Sequence, residues 1–112
     1  MEEFETLNQA EVKKILGGFK KEIKNILRDK FVELILFGSY ARGDYEFGSD
    51  IDVLLVVKEK LTREEKDKIS LKASGLSLKH DIVISCFDYI YDAYKTWETP
   101  FLMNVRREGT KI

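Results

Sequence analysis

The sequence has one cysteine, one histidine and one proline among 112 residues. Cys86 by itself forms no disulfide framework and no thiolate-rich zinc site. His80 by itself excludes a histidine metal cluster, so any metal is left to oxygen ligands. An excess of charge is missing too. With 19 Lys and Arg against 20 Asp and Glu, the net charge of −1 gives no general pull toward nucleic acid or a membrane surface. No apolar run approaches the roughly 18 residues of a membrane span. No basic start followed by an apolar stretch marks a signal peptide. Repeats, linkers and low-complexity segments are absent as well. These absences predict one cytoplasmic domain over residues 1–112, with a free thiol.

What is present fits a folded domain. Hydrophobic residues at 44% exclude disorder, and charged residues at 35% place the chain on the highly charged side. The N-terminal residues 1–11 are acidic (Glu2, Glu3, Glu5, Glu11), and residues 12–30 are rich in lysine. That basic stretch reads as a solvated helix face.

Val12, Ile15, Leu16, Phe19, Ile23, Ile26 and Leu27 recur at helical spacing and predict a helix with one buried stripe. Gly17 and Gly18 interrupt it, at a cost of about 1 kcal/mol each against alanine, and leave room for close approach of another backbone. FVELILF (31–37) predicts a buried strand, with a helical turn over Ser39–Arg42 opening the loop 39–49. DIDVLLVV (50–57) predicts a second strand. Thr62 and Glu65 form a capping box that starts a helix running to about Leu78, with Ile69, Ala73 and Leu76 on one face. HDIVIS (80–85) predicts a third strand, its Asp81 and His80 facing opposite ways. Asp88 is expected to cap a short helix from Tyr89 to Trp97. Pro100 opens a last helix over 100–108, which Gly109 stops. The order predicts a compact α/β or α+β domain.

The chemistry lies in carboxylates on apolar strands. Asp50 and Asp52 share one strand face, their Cα atoms about 6.6 Å apart. Asp81 enters another strand of isoleucine and valine. Burying unpaired carboxylates is expensive, so three of them near strand starts call for a cation, and oxygen ligands suit Mg²⁺ or Mn²⁺. Gly38 and Ser39 follow a strand and open a helical turn, where backbone N–H groups favour phosphate and glycine lets it come close. A phosphate cradle beside paired aspartates is equipment for phosphoryl or nucleotidyl transfer.

These residues resemble a known family. Gly38-Ser39, ten intervening residues and Asp50-Ile51-Asp52 are similar to the GS-x10-DxD signature of minimal nucleotidyltransferases, in the DNA polymerase β-like superfamily. The longer string GSYARGDYEFGSDIDVLLVV (38–57) and the tail PFLMNVRREG (100–109) extend the likeness over essentially the whole chain. The resemblance implies a mixed β-sheet of three or more strands flanked by helices. It implies that Asp50 and Asp52 bridge two Mg²⁺ ions and that Asp81 ligates one of them beside the attacking group. Gly38 and Ser39 would then hold the β- and γ-phosphates of a nucleoside triphosphate, with ATP the expected substrate. Arg42 is a candidate for neutralising phosphate charge, or for a salt bridge with Asp44 or Glu46. Ser49 caps or orients the loop before Asp50 and stands with the nucleotide-binding candidates.

Larger members of the superfamily carry added domains that grip the acceptor, and little follows the predicted core here. Small members resembling this chain often act as antitoxins that place AMP on a tyrosine of a HEPN ribonuclease toxin, a likeness compatible with a homo- or hetero-oligomeric assembly of this chain. Two alternatives stay open. One is transfer to a small molecule or an RNA end, for which the basic helix stripe is the only hint of nucleic acid. The other is a module that masks its partner by contact alone, through the aromatic segment from Phe87 to Phe101.

Overall fold

The computed structural model describes residues 7–46 and 48–112. Glu2, Glu3 and Glu5 of the acidic start, and Phe47 of the loop, lie outside the described residues. Helix α1 (Gln9–Leu27) begins in a reciprocal capping box between Asn8 and Glu11. It buries Val12, Leu16, Phe19, Ile23 and Leu27, each burial worth roughly 1.5–3 kcal/mol. Its lysine-rich side is largely exposed, as the charge pattern predicts. Gly17 and Gly18 have nothing within 4 Å of an added Cβ, so no second backbone approaches them.

After a 3-10 turn (Arg28–Lys30), strand β1 (Phe31–Phe37) leads into the single helical turn α2 (Ser39–Arg42). Strand β2 (Ile51–Val57), helix α3 (Arg63–His80) and strand β3 (Ile84–Ile90) form a parallel crossover unit. The chain closes with α4 (Tyr91–Thr96), α5 (Pro100–Glu108) and the two-residue strand β4 (Thr110–Lys111). The sheet order is β3-β2-β1-β4, with β1 antiparallel to both β2 and β4. The fold is thus the expected mixed α+β sheet flanked by helices.

The sheet is covered on both faces. Leu34, Leu36, Val53, Leu55 and Val57 pack with the stripe of α1 and Ile69 of α3. Ile35, Leu54 and Val56 pack with Leu102 and Val105 of α5. Two expectations are corrected. The third strand is not 80–85: the helix runs on to His80, and Asp81 ends it in the left-handed conformation (φ 52°, ψ 53°). The N–H groups of Asp81 and Ile82 both return to the Ser77 carbonyl, which completes a helix stop that Asp tolerates better than most residues. The strand is displaced to Ile84–Ile90, so Asp88 lies within β3 and caps nothing, and α4 starts at Tyr91 behind Ile90. Among the described residues no helix is long and apolar enough to cross a membrane.

Candidate functional site

The site is built at the end of the sheet where β1 finishes and β2 and β3 begin. Gly38 caps α2 with φ 77° and ψ −156°, a conformation open to glycine and costly for other residues. A Cβ added there would stand 2.6 Å from Oδ2 of Asp52. Gly38 therefore brings the turn into direct contact with the second aspartate. Phe37 is the cross-strand partner of Asp52, so the contact sits one residue past the last rung of the β1–β2 ladder.

Local packing fixes the turn. Tyr40 is buried against the α1 core, and its carbonyl accepts from Gln9 Nε2 at 2.8 Å. Its ring stacks on Tyr45, with centroids 4.2 Å apart. The amides of Ala41 and Arg42 donate to the Gly38 carbonyl, and Gly43 closes the turn onto Ser39. Helix geometry leaves the first N–H groups, those of Ser39 and Tyr40, pointing out of the turn's start. The Ser39 side chain is half-buried.

Asp50 is exposed and Asp52 is half-buried. Burial pushes the Asp52 carboxyl above its usual range, the Asp50 charge pushes it further, and the Arg42 guanidinium opposes both. A carboxylate disfavoured by burial and by a second carboxylate is one that a cation would stabilise. Two carboxylates beside a phosphate-favouring turn fit Mg²⁺ or Mn²⁺, which are commonly held by one or two carboxylates with substrate phosphates.

Ser49 accepts from the Glu46 amide at 2.8 Å, while its own amide donates to the Glu46 carbonyl. It orients the loop before Asp50. Arg42 pairs with Asp44 (3.2 Å) and also with Glu108 of α5 (3.0 Å). The Asp44 bridge was legible from the sequence. Glu108 was not, because nothing in the spacing of two residues 66 apart points from one to the other.

Asp81 lies at the same end of the sheet, three residues ahead of β3. It is exposed on its helix cap, and Ser85 is the β3 residue beside Asp52. Among the described residues no three His, Cys, Asp or Glu side chains are grouped to enclose a metal ion. The structure thus unites Gly38, Ser39, Asp50, Asp52 and Arg42, and leaves Asp81 at the margin. Cys86 lies on the far face of β3, toward α3, where burial pushes its thiol up to about 12 and removes it as a nucleophile. Phe101 of α5 packs on Phe37 of β1 and on Phe87 and Tyr89 of β3, so it covers this face of the sheet, while Phe87 and Trp97 stay exposed.

Residues 20–106 match the model of the nucleotidyltransferase domain family. A curated protein of Methanocaldococcus jannaschii, named a "putative protein adenylyltransferase", is 49% identical over 102 residues, covering 91% of this chain and 99% of its own. A second protein of that organism with the same designation is 33% identical, covering 86% of this chain and 92% of its own. Among solved structures, a chain of a toxin-antitoxin crystal structure with AMP-PNP shares the fold at TM-score 0.58 and 22% identity, over 94% of this chain and 72% of that one. A Sulfolobus solfataricus structure described as a putative nucleotidyltransferase has the same TM-score at 20% identity, over 92% and 80%.

Proposed function

This chain belongs to the nucleotidyltransferase domain family, and from that premise we propose that it moves AMP from ATP onto an acceptor hydroxyl, a tyrosine of a partner HEPN-type toxin. The observation that carries the reading is the contact between Gly38 and Asp52. It joins the phosphate-favouring turn to the carboxylate pair within one residue's reach.

In this reading Gly38 admits the β- and γ-phosphates, and the Ser39 hydroxyl and the free N–H groups of α2 donate to their oxygens. Arg42 offsets their charge. Ser49 holds the loop that presents Asp50. Asp50 and Asp52 would hold the divalent cation, and Asp81 at the end of α3 would reach it only if its side chain turned toward the pair. A bound cation at these carboxylates would favour ionisation of the acceptor hydroxyl and steady the departing pyrophosphate. The acceptor oxygen bonds to the α-phosphorus, the bond from that phosphorus to the β-phosphate oxygen breaks, and pyrophosphate leaves. Asp81, at the same end of the sheet, would be the group to receive the hydroxyl proton.

A protein acceptor is supported by the name of the relative at 49% identity, which this chain covers almost end to end. The toxin as that protein is supported by the resemblance of the GS-x10-DxD string. The test is transfer of α-labelled ATP with Mg²⁺ into a lysate of the source organism, beside Asp52→Asn. A discrete labelled protein band that the variant fails to produce is the expected result, and its identification names the partner. Label in RNA or small molecules would replace the acceptor. No label with any nucleoside triphosphate, from a folded protein, would leave contact-only neutralisation as the better account.

A further inference from the structure

Arg42 lies three residues beyond Ser39, and two carboxylates grip it from opposite sides of the sequence. Its Nε donates to Asp44 on its own loop, and its Nη1 donates to Glu108 at the end of α5. Two anchored N–H groups fix the plane of a guanidinium, which still has further N–H donors for a ligand. We propose that Glu108 is a positioning residue for nucleotide binding, holding Arg42 in the orientation that receives triphosphate at the Gly38–Ser39 turn. The proposal rests on the nucleotide-site reading above.

The fold delivers Glu108 to that place by a fixed route. Strand β4 pairs with β1 through Leu36 opposite Thr110 and Ile35 opposite Lys111. That pairing holds the end of α5, immediately before β4, against the end of β1, from which Glu108 reaches Arg42. Gly109 locks the approach, since a Cβ there would stand 2.5 Å from the Val105 carbonyl and 2.6 Å from Ile35 Cγ2. Ile112 donates from its backbone to Leu34 at 2.9 Å and extends the pairing. Glu108 is less exposed than Asp44, at 23% against 63%, so it is the firmer of the two anchors.

A purely architectural role is the competing account. Helix α5 is already docked by fully buried Leu102 and Val105, and a half-exposed ion pair adds little to stability. Removing Glu108 should therefore register in nucleotide binding more than in melting.

The experiment measures the dissociation constant of ATP with Mg²⁺ by calorimetry on the full chain. The proteins are wild type, Glu108→Ala, Glu108→Gln, Arg42→Ala and the Arg42→Ala/Glu108→Ala double variant, with melting temperatures taken in parallel. Glu108→Ala should weaken binding about two- to fivefold, the order of a partly exposed ion pair. Glu108→Gln retains an oxygen acceptor for Nη1 and should recover most of the loss. In the Arg42→Ala background, Glu108→Ala should add nothing. In transfer assays KM for ATP should rise while kcat holds within about twofold. Unchanged or tighter binding by Glu108→Ala overturns the proposal, and so does an effect that persists without Arg42. Wild type that binds no ATP overturns the nucleotide site itself; wild type that binds, with a silent Glu108→Ala, overturns the positioning role alone.

Discussion

Gly38→Ala tests the closest contact in the site. The new Cβ would lie 2.6 Å from Asp52 Oδ2, about 0.8 Å inside ordinary van der Waals contact. The backbone there (φ 77°, ψ −156°) is a region that residues with a side chain occupy at a cost of about 1–3 kcal/mol. For a domain near 100 residues this lowers the melting temperature by roughly 5–20 °C. Asp52 must give way or the turn must rotate. A displacement near 1 Å in a reacting constellation costs about a hundredfold in rate. The assay pairs thermal melting with label transfer from ATP, each run at a temperature where the variant stays folded. Gly75→Ala is the control: Gly75 lies inside α3 with nothing within 4 Å of an added Cβ. Alanine there should stabilise by up to about 1 kcal/mol and leave transfer unchanged. If Gly38→Ala melts and transfers like wild type, the close-approach argument is wrong.

Two further predictions concern charge and pH. Asp52 is raised by burial first and Asp50 second, so its ionised form costs the folded chain stability once pH passes the folded pKa. Asp52→Asn should therefore melt higher than wild type at pH 7 without divalent cation, with the gap closing in acid, and equal melting at pH 7 would refute that. Glu65 runs the opposite way: the Lys30 hydrogen bond, then the Thr62 backbone, hold it below its usual range. Its contribution is present above the ordinary glutamate range and is lost as pH falls through the lowered folded value. Glu65→Gln should melt below wild type at pH 7 and converge with it only in acid below the ordinary glutamate range, once the lowered folded value is passed. A deficit that stays constant with pH would show that packing, not the ion pair with Lys30, is what Glu65 contributes.

Much of this architecture is legible where pattern and punctuation agree. FVELILF ends at a glycine and is β1 over Phe31–Phe37, and Pro100 with Gly109 brackets α5 as read. The Gly38–Ser39 turn and the Asp50–Asp52 pair are legible because their chemistry is local in sequence. The third strand was misplaced because HDIVIS alternates like a strand while its first two residues finish a helix. An aspartate in the left-handed conformation does there what glycine does elsewhere, and single-residue φ values leave no periodicity to read. Asp88 misled in the same way: it resembles a cap but lies within β3, facing the space under α3 with Ile84 and Cys86. Strand β4 is two residues long, too short for any alternation. The Glu108–Arg42 link depends on that short strand docking the end of α5 beside β1, so it was invisible for the same reason.

Asp81 is where local backbone and proposed chemistry make separable demands on one side chain. Its backbone ends α3 at φ 52°, and its carboxylate is assigned to the cation and the acceptor proton. Glycine at a left-handed helix stop is at least as favourable as aspartate, so Asp81→Gly keeps the cap and removes the carboxylate. Asp81→Asn keeps a side chain that also tolerates this conformation, and removes only the charge. If Asp81 serves the reaction, both variants should melt within a few degrees of wild type, Asp81→Gly at or above it, while transfer falls about a hundredfold or more, the usual order for losing a positioned acid–base group. If the residue is only a helix stop, both should melt the same way and transfer at the wild-type rate. Label transfer and calorimetry on the same samples decide between these. Full transfer by Asp81→Gly would remove Asp81 from the site and leave Asp50 and Asp52 as the whole carboxylate set.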